Sequence, residues 1–326
     1  MTSKFRVRSW RAIALALSFS LLAVACGSSS TDSATGTPEE SSEESVDDSS
    51  SAEIRTLRVG AIPDQEPERL QRTYDLLATY LEDEIDDLAV EYVPVTEYSS
   101  AVTGFSVGDL DAVWFGGLTG VQARLEVQGS NAIVQRDIDT EFTSVFIARA
   151  DSGIEPFSDL DGLADLAGRS FTFGSESSTS GRLMPQSFLN QAGIDPEADF
   201  AGQPGFSGSH DATIEVVTAG SFEVGALNSQ VWDARVEDGS VDTDEVIEIF
   251  RTPPFFDYHW VAQPDLDDRL GDGFTGELTD ALLALDATDA DQAAILDLFG
   301  AGSFVLTEND NYQSIELVGR DTGLIR

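Results

Sequence analysis

Phe171-Thr-Phe-Gly174-Ser-Glu-Ser-Ser178-Thr179-Ser180-Gly181-Arg182-Leu-Met-Pro185 is a short apolar strand that runs through small hydroxyl residues directly into a helix. The strand is expected over 170–174, and the helix begins near Ser180. A strand feeding a helix is the repeating unit of a layered α/β fold with a mostly parallel sheet. The junction also places the hydroxyls of Ser178, Thr179 and Ser180, with neighbouring backbone N–H groups, at the positive end of a helix dipole. That is an anion seat needing neither lysine nor arginine. A plain Ser/Thr N-cap would use the same residues, so this segment alone leaves both readings open.

The same alternation extends to either side. Upstream, the apolar spacing predicts a strand over 56–62, an amphipathic helix over 69–88, a strand over 90–95, a helix over 99–107, and a strand over 111–115 closed by Gly116-Gly117. A strand over 142–150 and a short helix within 157–166 precede the quoted segment. Helices over 211–219 and 230–236 and strands over 224–227 and 246–250 follow it. The strand over 246–250 is the last one expected before Pro253-Pro254, and the remainder reads as helices over 278–285, 293–298 and 312–318. Two successive α/β units with a cleft between them suit a hinged ligand trap. The expected organisation is lobe 1 over 55–147, lobe 2 over 148–250, and a return to lobe 1 with C-terminal helices over 251–326.

The first residues set the compartment. Lys4, Arg6, Arg8 and Arg11 precede an apolar run from Ala12 to Ala25, and Cys26, the only cysteine, follows it. This order marks a secretory signal over 1–25. The apolar run is shorter than the roughly 20 residues a bilayer-spanning helix needs. Leu22-Ala23-Val24-Ala25-Cys26 is similar to a bacterial lipobox, with Ala23 where leucine is preferred, so Cys26 is the expected lipidation site. Residues 26–54 are rich in Ser, Thr, Glu, Asp and Gly and read as a disordered tether. The formal net charge is −41, and no lysine follows Lys4. That balance excludes nucleic-acid binding through a basic face. It fits a solvated acidic surface that keeps an exported protein soluble.

A second loop enters a helix at Gly205-Phe-Ser-Gly-Ser-His210-Asp211-Ala212, with His210 at its mouth and Asp211 in its first turn. A capped helix with a satisfied histidine is the alternative to a ligand role. The other histidine, in Asp257-Tyr-His259-Trp260, reads as part of a packed aromatic strand. Tyr98 and Trp114-Phe115-Gly116-Gly117 follow the second and third strands, where open α/β sheets bind ligands, although Trp114 reads more readily as core. No Gly-x-Gly-x-x-Gly fingerprint follows a strand, and there is no P-loop lysine and no His-Glu-x-x-His motif, so neither cofactor nor metal is expected. A hydrolase triad of Ser178 or Ser180 with His210 and Asp211 is disfavoured, because adjacent His and Asp orient each other poorly and no Gly-x-Ser-x-Gly elbow is present.

Ser178-Thr179-Ser180-Gly181 with its downstream proline, Gly208-Ser-His210-Asp211-Ala212, Trp114-Phe-Gly116 and Val59-Gly-Ala-Ile-Pro63 together resemble the phosphonate/phosphite-binding (PhnD-like) proteins of ABC importers. The resemblance runs from about Leu57 to the C-terminus and is strongest to a selenate-binding branch, through Trp114 to Arg124, Gly205 to Thr213 and Val224 to Asn228. It implies a two-lobed type II periplasmic-binding-protein fold with a hinge and central ligand cleft. It also implies a ligand held between the serine-rich helix start, the second-loop histidine and a tyrosine matching Tyr98. The candidate ligand set is Tyr98, Gly117, Ser178, Thr179, Ser180, His210 and Asp211. Phe142 stands where the family often has a tyrosine, which removes one donor.

The expected function is capture of a small tetrahedral oxyanion, of phosphonate, phosphite or phosphate type or of selenate type, for delivery to a membrane permease by a monomeric, lipid-anchored, non-enzymatic receptor. A sensing receptor of the same fold is the alternative. Phosphite and phosphonates can present a protonated oxygen near neutral pH, whereas selenate and sulfate present only acceptors. A carboxylate turned toward the ligand would therefore penalise the latter pair. Glu176, Asp211 and Asp257 are the acids near the expected pocket, and their direction decides the matter.

Overall fold

Three strand-to-helix steps open the chain in a computed structural model that describes residues 54–326. They are β1 (Arg55–Ala61) to α1 (Pro67–Glu84), β2 (Leu88–Tyr92) to α2 (Tyr98–Ser106), and β3 (Ala112–Phe115) to α3 (Gly117–Glu126). The expected signal, Cys26 and the tether up to residue 53 lie outside the described residues. Short strands β4 (Asn131–Ala132) and β5 (Val134–Arg136) follow. A second group then runs β6 (Ser144–Arg149), β7 (Phe171–Phe173), α4 (Met184–Gln191), β8 (Gly205–Phe206), α5 (His210–Thr218), β9 (Val224–Asn228), α6 (Ser229–Glu237) and β10 (Val246–Arg251). The chain ends with β11 (His259–Ala262), α7 (Leu266–Leu270), α8 (Phe274–Leu283), α9 (Ala290–Phe299), β12 (Phe304–Leu306) and α10 (Gln313–Asp321).

The strands form two five-stranded sheets, ordered β2-β1-β3-β11-β4 and β10-β6-β9-β7-β8, while β12 pairs with β5. β1 is parallel to β2 and β3, and β7 is parallel to β8 and β9. One strand in each sheet runs against all its neighbours, β11 in the first and β6 in the second. Each follows a crossing between the sheets, so the chain arrives there against the direction of the other strands. The two crossings pair with each other: Phe142 N–H donates to Phe255 O at 2.9 Å and Phe255 N–H to Phe142 O at 2.8 Å. A two-stranded connection of this kind is a hinge.

Three sequence expectations shift. The helix expected to reach Leu88 stops at Glu84, because Asp87 turns the chain at φ 55° and Leu88 opens β2. A strand does follow Pro253-Pro254: β11 returns the chain to the first sheet with Trp260 and Val261 buried. Gly116-Gly117 does not merely close a strand, since Gly117 opens α3, a helix absent from the expectations. On α3, any side chain at Gly120 would overlap the His259 imidazole, so glycine is what lets helix and strand approach.

The first sheet packs Tyr74, Trp114, Trp260, Phe299 and Phe304 into one aromatic core. Within it Arg136 is buried, its Nε 2.7 Å from Asp139 Oδ2 and its guanidinium 4.7 Å from the Tyr258 ring centre. Asp139 also accepts the Tyr258 N–H at 3.2 Å, and its carbonyl accepts the Asp257 N–H at 3.2 Å. A buried ion pair is costly to desolvate, and here the Tyr258 and Arg136 N–H groups and the Phe299 carbonyl offset part of that cost by bonding its remaining atoms.

Candidate oxyanion-binding site

The loop after β7 reaches the first sheet through its hydroxyls. Ser178 Oγ accepts the Gly181 N–H at 2.9 Å and caps a π-type turn over Thr179–Leu183, closed by Leu183 N–H to Ser178 O at 2.9 Å, before α4 begins. Helix geometry leaves the first-turn N–H groups of Thr179 and Ser180 without intrahelical partners. Single π turns are frequent at functional positions. The capping and anion-seat readings are thus compatible here: Ser178 Oγ spends a lone pair on the cap and keeps its proton to donate.

The second loop packs on the first. Gly208 N–H donates to Gly174 O at 3.3 Å, and a Cβ at Gly181 would lie 3.0 Å from Ser178 Oγ and 3.2 Å from His210 Cε1. His210 is fully buried, and its Nδ1 accepts the Asn228 N–H at 3.3 Å. That bond fixes the tautomer, so Nε2–H faces the Tyr258 hydroxyl at 3.2 Å. Asn228 Nδ2 donates to the same hydroxyl at 3.0 Å. Burial pushes the imidazole pKa down to about 4, so His210 is neutral near pH 7 and supplies no cation.

Tyr98, at the start of α2, is buried beside Ser178. Its hydroxyl, Ser180 Oγ and Asp257 Oδ2 are buried and make no hydrogen bond of good geometry among the described residues, although Ser178 lies beside Tyr98 and the Thr179 and Ser180 hydroxyls lie beside Asp257. Asp257 Oδ1 accepts the Gly117 N–H at 2.9 Å. Burial raises the Asp257 pKa to about 7, opposed by the Gly117 N–H and the Thr179 and Ser180 hydroxyls. Asp64, in the β1–α1 loop, is buried in the same cluster, and desolvation lifts it to about 6 against the Tyr258 hydroxyl and Arg136.

The structure gathers all seven sequence-predicted residues along this seam but does not leave all of them free. Gly117 spends its N–H on Asp257. Thr179 Oγ1 accepts the Leu118 N–H at 2.9 Å, which ties the second sheet's loop to α3 of the first. Asp211 turns sideways, its Oδ1 2.8 Å from Arg235 Nε and its Oδ2 accepting the Glu66 N–H at 3.2 Å. These bonds leave Asp211 unable to orient His210, which removes the hydrolase triad. Glu176 is exposed, and only Asp257 of the three nearby acids turns inward. Trp114 and His259 are core, as expected, and Phe142 packs edge-on to Tyr258 with ring centres 5.6 Å apart. Asp64, Asn228 and Tyr258 were not singled out from sequence. Asp64 carried a usable signal, because it follows the carboxyl end of β1, where such sheets bind ligands.

Two sheet-centred lobes, a paired hinge and a buried seam of unpartnered donors define a hinged solute-binding protein of the type II class. The model of the ABC transporter phosphonate periplasmic substrate-binding family matches residues 59–312. The chain is 47% identical over 272 residues to the probable ABC transporter phosphite binding protein PhnD1 of Prochlorococcus marinus (strain MIT 9301), covering 83% of this chain and 91% of that one. The structure of that PhnD1 with methylphosphonate superposes with a TM-score of 0.81 and 47% identity, over 83% of this chain and all of the other. The phosphate-import protein PhnD of Mycolicibacterium smegmatis is 27% identical over 245 residues, 72% of each chain. A binding component of a Pseudomonas aeruginosa ABC phosphonate transporter, 18% identical, shares the fold over 82% of this chain and 86% of its own, with a TM-score of 0.71. The chain belongs to the phosphonate-type periplasmic substrate-binding proteins of ABC transporters; it is a transport component, not an enzyme.

Proposed function

We propose that the chain captures methylphosphonate- or phosphite-type anions, not selenate, between lobes spanning about 55–147 with 251–326 and 148–250. The observation that carries this reading is the mixed polarity of the unpartnered groups. Tyr98 and Ser180 offer hydroxyl donors, and the amides of Thr179 and Ser180 add two more, but Asp257 Oδ2 is an acceptor. A guest that keeps one proton satisfies every one of these. Above the Asp257 pKa of about 7, fully deprotonated selenate or sulfate would set an oxygen against a carboxylate oxygen, a repulsion that weakens them relative to a protonated guest. The relative that binds methylphosphonate, at 47% identity, supports the same ligand class.

In this reading Ser178, Ser180 and Tyr98 donate to the anion and Thr179 contributes its amide, while its hydroxyl joins the lobes. Gly117 positions Asp257. His210 serves the ligand only by exchanging Tyr258 for it at Nε2–H. The receptor acts as a monomer, held to the membrane through a lipid on Cys26. Calorimetric titration with methylphosphonate, phosphite, phosphate, sulfate and selenate tests the ligand reading. Tight binding of the first two with weak binding of the last two is expected, and a preference for selenate would reverse it. Metabolic labelling with a fatty acid, lost in Cys26→Ser, tests the anchor.

A further inference from the structure

We infer that Asp211, braced by Arg235, is a latch that holds the closed state from outside the ligand site. Its two carboxylate oxygens serve different lobes. Oδ2 takes the Glu66 N–H of the β1–α1 loop at 3.2 Å, across the cleft, and Oδ1 takes Arg235 Nε of α6, within its own lobe, at 2.8 Å. The adjacent His210 N–H donates across the same line to Asp64 O at 3.0 Å. Side-chain exposure is 10% for Asp211 and 19% for Arg235, so the pair is shielded but not sealed.

The surroundings fit a latch better than a ligand contact. Arg69 on α1 is close enough to feel both Asp211 and Arg235, so the first lobe brings a cation as well as an amide to the carboxylate. Asp64, Arg72 and Asp238 are the other charged groups facing this cluster. Arg235 aligns the carboxylate and cancels its charge, so Asp211 can sit beside an anion site without repelling the guest. The Glu66–Asp211 and Asp64–His210 bonds join elements of different lobes, so hinge opening must break both.

The latch deepens the hinged-capture reading and rests on it, because holding the lobes matters only if they move. A receptor whose closed state is less populated binds every ligand more weakly by one common factor. Asp211→Asn and Arg235→Gln should each lower affinity for methylphosphonate, phosphite and phosphate by the same roughly 10- to 100-fold, the range set by one charge-assisted bond. The dissociation rate should carry the change, with the association rate within about threefold of the unmodified protein's. Arg235→Lys should recover part of the loss, and the Asp211→Asn/Arg235→Gln double variant should lose less than the two single effects combined.

Spin labels placed on exposed sites of the two lobes read the second arm: without ligand, both variants should shift toward longer inter-lobe distances. Losses that differ more than about fivefold between ligands would make Asp211 a ligand contact and overturn the proposal, as would unchanged inter-lobe distances. If the unmodified protein bound none of these anions, the capture reading would fail, while the ligand-free distances would still decide the latch.

Discussion

Asp257→Asn tests the ligand reading at a single atom. Asp257 Oδ1 is held by the Gly117 N–H at 2.9 Å, and an asparagine keeps its own Oδ1 there because only that atom can accept the bond. The amide Nδ2 then replaces Oδ2, turning the inward-facing acceptor into a donor without changing shape. A guest with a P–OH loses a hydrogen bond to a charged group, about 1.5–3 kcal/mol, or roughly 10- to 150-fold in affinity. Sulfate and selenate, which the native carboxyl meets favourably only in its protonated quarter at pH 7.5, gain about fourfold. The ratio of methylphosphonate to sulfate affinity should therefore fall by at least about fortyfold, read by calorimetry at pH 7.5 with thermal melting as the folding control. The pH dependence gives an independent signature. Sulfate beside Asp257 favours the protonated carboxyl, so the complex holds more protons than the free partners. Sulfate affinity should thus rise as pH falls from about 8 through the Asp257 pKa of about 7, and this slope should vanish in the variant. If both ligand classes weakened by the same factor, Asp257 would be a structural residue and the selectivity argument would fail.

The remaining predictions concern stability and charge. Tyr258→Phe strands His210 Nε2–H and one Asn228 Nδ2–H, and urea unfolding should register a loss of about 1–3 kcal/mol. Gly120→Ala pushes a methyl into His259, which stacks on Tyr312 with ring centres 3.7 Å apart; overpacking of about 1–3 kcal/mol should lower the melting temperature. The native Asp257 carboxyl keeps its proton up to about pH 7 while the unfolded chain releases it near 4. The unfolded state then binds fewer protons, so native stability relative to Asp257→Asn should decline as pH rises from about 4 to about 7, measured by denaturant titration at each pH. With a formal charge of −41, the association rate of a dianionic ligand in stopped-flow tryptophan fluorescence should increase with ionic strength from about 0.01 to 0.15 M.

Local chemistry was legible in the sequence and long-range direction was not. The Ser178–Ser180 junction and the His210 loop stood out because strand end, small residues and helix start lie side by side in the chain. Asp211 is a ligand candidate on the same local grounds, yet what orients it is Arg235 and a backbone N–H at Glu66, 145 residues upstream. The Thr179 hydroxyl likewise answers to Leu118, a partner no local pattern announces. β11 and β12 escaped because they are only four and three residues long and follow prolines or helices, where a short apolar run does not announce its pairing. Tyr258 looked like packing, which it is by its ring, stacked on Trp114 with centres 5.8 Å apart; its hydroxyl gains a role only when the hinge brings it to His210 and Asn228.

An anion receptor this acidic raises an electrostatic question that the site answers locally. Beyond about 8 Å at physiological salt, exposed carboxylates are screened, so only nearby charges count. Four carboxyl groups lie in or beside the seam, and their charge is tempered in two ways. Asp139 is held by the Arg136 fork, and Asp211 by Arg235. Asp257 and Asp64 are buried deeply enough that desolvation lifts them to about 7 and about 6, so Asp257 carries a proton through much of the neutral range and Asp64 takes one up in mild acid. The guest therefore meets oriented amides and hydroxyls, with Asp257 only partly charged and the Asp64 charge set against Arg136, and the surface acids act on its rate of approach more than on its affinity. Selectivity follows from the same arrangement. A carboxyl poised near neutrality can share a proton with phosphite or a phosphonate in either of its states, but it suits sulfate or selenate only while it holds its own proton, which it releases above about pH 7.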